Sequence, residues 1–147
     1  MRWPRGPGVL RHDDRVAQIK QLRIVATLLF TFAVAQAGLG SGYLDGVEPL
    51  IIAHLTNAFA VLVLAVIGAV LGVPLRRAGR PSWTLFMPIG IIIAIAVQMM
   101  LGFAGVKGAH VFLGVLILCA ITAYCSYSWR LQLPQGGATA AAAPTSR

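Results

Sequence analysis

The charged residues of this chain leave four long stretches that contain none. Between Arg23 and Asp45 lie 21 uncharged residues, between Glu48 and Arg76 lie 27, between Arg80 and Lys107 lie 26, and between Lys107 and Arg130 lie 22. Each stretch reaches the ~20 residues that a helix needs to cross the hydrocarbon of a bilayer. In a chain of 147 residues, 58% hydrophobic and 11% charged, so much apolar side chain exceeds what one soluble core can hide. Backbone groups in lipid must be bonded within their own segment, and these runs lack the polar alternation of a barrel strand. An all-α fold is therefore expected, a transmembrane bundle with spans at about 24–44, 49–73, 83–105 and 108–129.

The charges also set an orientation. Six cations (Arg2, Arg5, Arg11, Arg15, Lys20 and Arg23) precede the first span, Arg76, Arg77 and Arg80 separate the second from the third, and Arg130 and Arg147 follow the fourth. The other side holds Lys107 with Asp45 and Glu48. Because cytoplasmic loops carry the excess of Lys and Arg, both termini are expected in the cytoplasm and the protein in the cell membrane. The net charge of +8 is a function of these flanks. It points to anionic lipid headgroups of the bilayer, and no nucleic-acid-binding motif accompanies it.

Residues 1–20 mix Pro, Gly and charge and read as a flexible basic arm, with Asp13 to Arg23 suited to a short interfacial helix. Residues 131–147, rich in Ala, Pro, Gly and Thr, read as a disordered tail. The basic start and Ala33-Val34-Ala35 also resemble a signal peptide with its cleavage site, but the apolar stretch continues past Ala35 and has a counterpart later in the chain. Pro49 suits the first turn of the second span, Pro74 and Pro81 bracket the cationic turn, and Pro88 is placed to kink the third span. Trp83, Trp129 and Tyr43 fall at the membrane boundaries.

That counterpart is an internal repeat. Gln36-Ala37-Gly38-Leu39-Gly40 recurs as Gln98-Met99-Met100-Leu101-Gly102, and each copy is followed by an Ala-His pair, Ala53-His54 and Ala109-His110. The pattern implies a duplicated helical hairpin whose copies are related by a pseudo-two-fold axis along the membrane normal. Equivalent residues then face one another.

Ionisable side chains inside spans are functional candidates by default, and His54 and His110 are the ones here. His54 lies 22 residues before Arg76 and His110 lies 20 before Arg130, so the two share nearly one depth, close to the outer boundary. Two histidines opposed across a four-helix bundle can clamp one cofactor metal from both sides, as in a heme-binding bundle. The small residues Ala58, Ala65, Gly68 and Gly72 follow on the face of His54, and Gly114 stands one turn beyond His110. Gln36 and Gln98 can orient the imidazoles, Thr56 and Asn57 add polar groups, and Lys107 can pair with a propionate at the mouth. The plainer alternative is that the glutamines and histidines only bond helix to helix, and that Gly38, Gly40 and Gly102 only let helices approach.

Other chemistry is not indicated. Cys119 and Cys125 are six residues apart on one helix and point to different faces, so they cannot pair there. There is no Cys-x-x-Cys-His for covalent heme attachment, no zinc spacing and no nucleophile or phosphate-loop motif.

At Gln36-x-x-Leu-Gly with Ala53-His54-Leu55-x-x-Ala58, and again at Gln98-x-x-Leu-Gly with Ala109-His110, the sequence resembles the heme A synthase family. Members have two four-helix halves, each with heme-ligating histidines on its second and fourth helices near the outer face. The resemblance covers about residues 24–129 as one such half and implies His54 and His110 as axial ligands of one noncovalent heme b. Where the family's catalytic half has a Glu three residues before its first His and an Arg just after, this chain has Ile51 and Leu55, and the family's outer cysteine pair is missing. The family's oxidation of heme is therefore not implied, and no catalytic residue is assigned. The sequence leaves three roles open: an electron-transfer, redox-sensing or heme-handling protein, a heme-free accessory subunit, or a small transporter acting as a homo-oligomer.

Overall fold

The structure, a computed structural model, describes residues 12–134. Among them are four α-helices and no strand: α1 His12–Leu44, α2 Leu50–Arg77, α3 Trp83–Phe103 and α4 Lys107–Arg130. Each is long and apolar enough to cross a membrane, as the charge-free runs require. The chain is a multi-pass membrane protein of four-helix type. Both α1 and α3 pack on α2 and α4, which leaves α1 diagonal to α3 and α2 diagonal to α4. The up-and-down path gathers the α2–α3 turn, the start of α1 and the finish of α4 at one end, the cationic end. The α1–α2 and α3–α4 turns share the other, the hairpin end.

Helix α1 corrects one expectation. Residues 12–20, expected in a flexible arm, and the separate interfacial helix expected from Asp13 are instead the first turns of one continuous helix of 33 residues. Such a helix is ~50 Å long against ~30 Å of hydrocarbon, more than one crossing requires, and its excess length carries the charges of Asp13, Asp14, Arg15, Lys20 and Arg23. Its continuity has a visible cause. Ile19, Leu22, Ala26, Leu29 and Ala33, spaced three and four apart, form one unbroken buried stripe, and no Gly or Pro interrupts it. The rest of the expected arm and the tail beyond residue 134 lie outside the described residues.

All three turns close alike. Gly46, Gly79 and Gly105 take φ of 94°, 77° and 70°, a conformation open chiefly to glycine. The amide after each glycine reaches back to Gly42, Leu75 or Leu101 (3.0–3.1 Å), the helix-ending pattern that satisfies the last carbonyls. Pro74, expected to close α2, lies inside it, one turn before the end at Arg77.

Pro88 shapes the packing of α3 on α2. Lacking an N–H, it cannot bond the carbonyl of Thr84 one turn earlier. That carbonyl abuts Gly72 so closely that a β-carbon there would collide with it. The glycine thus allows two backbones to touch where a helix hydrogen bond is missing.

The two halves of the bundle differ. In the half toward the cationic end each helix buries a row of side chains, from Ile19 to Ala33 on α1 and from Val61 to Leu75 on α2, with Tyr124 and Ile121 among the fully enclosed residues of α4. No described residue in 34–60 or 96–116 is buried. The hydrogen bonds between the hairpins follow the same division. Arg23 donates to the carbonyls of Ser128 (3.3 Å), Trp129 (3.3 Å) and Leu131 (2.8 Å), and the Trp129 indole donates to Thr27 (3.0 Å). These bonds stitch α1 to the end of α4. The bundle is solid and tied at the cationic end and loosely packed at the hairpin end.

Candidate functional site

The loosely packed half holds all the polar residues singled out by the repeat. Gln36 on α1 and Gln98 on α3 occupy one diagonal, and His54 on α2 and His110 on α4 occupy the other. The two imidazoles meet across the bundle with ring centroids 6.2 Å apart and planes tilted by 58°. The buried core stops at the same relative place in both hairpins. Ala33 and Ile95, the last buried residues of α1 and α3, each lie three positions before the glutamine, and Val61 and Ile117 each lie seven after the histidine. Seven residues are ~10 Å of helix, so the histidines stand about that far along the bundle from the last buried residues of α2 and α4.

Each ring rests against a glycine of its own hairpin. A β-carbon on Gly40 would lie 2.9 Å from Cε1 and 3.2 Å from Nδ1 of His54, and one on Gly102 would lie 3.0 Å and 3.2 Å from the same atoms of His110. These two glycines are cradles for imidazoles, a more specific role than the helix packing expected of them. Gly38 has no such neighbour.

The hydrogen bonds divide the two histidines. His110 Nδ1 donates to the Gln98 carbonyl (2.9 Å), which fixes its tautomer and leaves the Nε2 lone pair unbonded among the described residues. His54 Nε2 instead accepts from the side-chain amide of Gln36 (3.2 Å). Its Nδ1 is buried without a hydrogen bond of good geometry, the Gln36 main chain being within weaker polar reach. The side chain of Gln98 turns the other way, donating to the His110 carbonyl (2.7 Å) and leaving its buried Oε1 unpaired.

The difference coincides with two positions at which the hairpins carry different residues. A β-carbon on Gly114 would stand 3.0 Å from the Gln98 amide nitrogen, so Gln98 occupies space that glycine vacates. The matched residue is Ala58, which carries the methyl that Gly114 lacks, and Gln36 turns to the ring of His54. Asn57, where the second hairpin has Leu113, holds it there: the Asn57 amide donates to the Phe32 carbonyl (2.9 Å) and to Gln36 Oε1 (2.6 Å). The sequence offered Asn57 only as a nearby polar group. Its position three residues after His54, on the same face, was the available signal.

The remaining candidates make no hydrogen bond to the side chains of Gln36, His54, Gln98 and His110 among the described residues. Lys107 opens α4 at the hairpin end and is exposed, and Thr56 is exposed on α2. Cys119 is exposed and Cys125 half-buried, both as free thiols. Among the described residues no group of three or more His, Cys, Asp or Glu could hold a metal ion. Two opposed imidazoles can complete the shell of a metal that brings its remaining ligands with it. Two metal–imidazole bonds of ~2 Å, with half a ring on either side, span about 6 Å between centroids, the spacing found here. No protein-family model, curated protein or solved structure matches the chain.

Proposed function

We propose that this membrane protein holds one noncovalent b-type heme between His54 and His110, near the outer face of the cell membrane, with both termini in the cytoplasm. One observation carries the reading: two imidazoles from matched places in two hairpins face each other at 6.2 Å in the loosely packed half of the bundle. The residues present suit the group. His54 and His110 would each give one imidazole nitrogen to the iron, a porphyrin would bring the other four, and Gly40 and Gly102 leave room for the two rings. When bound, heme adds one-electron redox chemistry. The chain's own contribution would be two imidazole ligands, His110 oriented through the Gln98 carbonyl, with the exposed Lys107 at the start of α4 available to a propionate.

The matched glutamine, glycine and histidine contacts favour descent from a duplicated hairpin. Ile51 and Leu55 stand where the resembling family's catalytic half carries a Glu and an Arg, which favours electron transfer, redox sensing or heme handling over that family's oxidation chemistry. One His pair serves one heme near one face, so carrying electrons across the bilayer would require a partner or a further copy.

A second reading rests on the hydrogen bonds. Each glutamine bonds its own hairpin's histidine residue, as it would in a heme-free accessory subunit whose polar groups only join helices. Acid-acetone extraction and the visible spectrum of detergent-purified protein, expressed with ample heme, separate the two. Extractable heme supports the first reading, and its complete absence supports the second.

A further inference from the structure

The two candidate ligands are not equally free to bind. The Asn57 amide nitrogen must face the Phe32 carbonyl, so it presents N–H to Gln36 and Gln36 presents its oxygen in return. The Gln36 amide nitrogen is thereby aimed at His54 Nε2, which can only accept. The lone pair a metal would use is already engaged. In the other hairpin Leu113 replaces Asn57, Gln98 is turned onto a backbone carbonyl, and His110 Nδ1 is anchored with Nε2 unbonded among the described residues.

We propose that Asn57 and Gln36 form a latch that competes with iron for His54 Nε2, so that His110 is the anchoring ligand and His54 the exchangeable one. The proposal rests on the heme reading above and adds to it an order of binding and a side at which small ligands enter. His110, whose Nε2 has no hydrogen bond among the described residues, would be the first of the two to engage a heme iron, and His54 would follow once the Gln36 amide lets go. Because the latch is one hydrogen bond backed by a second, it shifts the balance between one and two axial bonds without abolishing either state. A diatomic ligand that binds reduced iron would replace His54 and leave His110 in place.

Two measurements test this, one of them free of heme. In heme-free protein, diethyl pyrocarbonate acylates imidazole nitrogen, and peptide mass spectrometry separates His54 and His110 from His12. Acylation of His54 is expected to be roughly threefold to tenfold slower than that of His110, the weight of one net hydrogen bond. Asn57→Leu, which installs the residue of the second hairpin, brings the two rates together, and Gln36→Met, which keeps the bulk and removes the donor, does the same. In reduced heme-loaded protein both substitutions lower carbon monoxide affinity by a similar factor, because His54 then holds iron more firmly. His54→Ala keeps heme with one axial histidine, whereas His110→Ala loses most of it. Equal acylation of both histidines in the unsubstituted protein overturns the latch whatever the heme content. So does a carbon monoxide affinity that neither substitution changes. Protein that takes up no heme overturns the functional reading, while the acylation ratio still decides whether His54 is latched.

Discussion

Gly40 lies against the imidazole of His54 so closely that a β-carbon would stand 2.9 Å from Cε1, and the contact recurs between Gly102 and His110 at 3.0 Å. A methyl group on either glycine presses on the edge of its imidazole, which must then shift by a few tenths of an ångström. Gly40→Ala and Gly102→Ala are each expected to lower heme retention modestly, since the displaced ring is a less well placed ligand. Gly38→Ala, which meets nothing within 4 Å, should retain heme as the unsubstituted protein does. Heme-to-protein ratio after purification measures all three.

At the other end of the bundle, Gly72 serves the fold and not the site. Gly72→Ala drives a methyl into the Thr84 carbonyl, backbone that cannot swing aside as a side chain can. A loss of about 1–3 kcal/mol is expected, as for other overpacked cores. Gly90→Ala, in open space on α3, should lose nothing. Thermal or denaturant unfolding in detergent distinguishes them.

Arg23 makes three bonds to carbonyls at the end of α4 and lies over the Trp129 ring, 5.3 Å from its centroid. Arg23→Met should fray that end and lower the unfolding temperature, and Arg23→Lys should restore little, since a lysine lacks the flat fork that reaches several carbonyls and stacks on indole. Faster amide exchange in the last turn of α4 is the local readout.

The four spans were legible because lipid imposes a length and forbids charge within it. The starts of α3 and α4 lie within one residue of expectation. The start of α1 was not: the Arg and Lys flank looked like the edge of a helix, while the buried stripe running back to Ile19 continues across it. The approach of His54 and His110 was expected from the recurring motif, and their rings stand 6.2 Å apart. What the motif hid was the asymmetry. Ala58 against Gly114 and Asn57 against Leu113 look like minor differences between two similar segments, and only the structure shows that Gly114 lies against Gln98 while Asn57 bonds Gln36. The cradling role of Gly40 was hidden for the same reason, because a glycine in a membrane helix reads first as a site of helix contact.

The distribution of cations predicts the topology. A reporter fused after Arg147 should behave as cytoplasmic and one inserted near Asp45 as external. External activity from the C-terminal fusion would reverse the proposed orientation and move the histidines to the inner face.

The most direct test of the account is the reduced visible spectrum of the purified protein beside those of His54→Ala and His110→Ala. The unsubstituted protein should show the sharp bands of low-spin iron with two histidine ligands. Each substitution should remove one axial bond, leaving five-coordinate heme or none. The double substitution should still insert, because the spans lose no hydrophobicity. Full, low-spin heme in both single variants would contradict the assignment of His54 and His110 as its ligands.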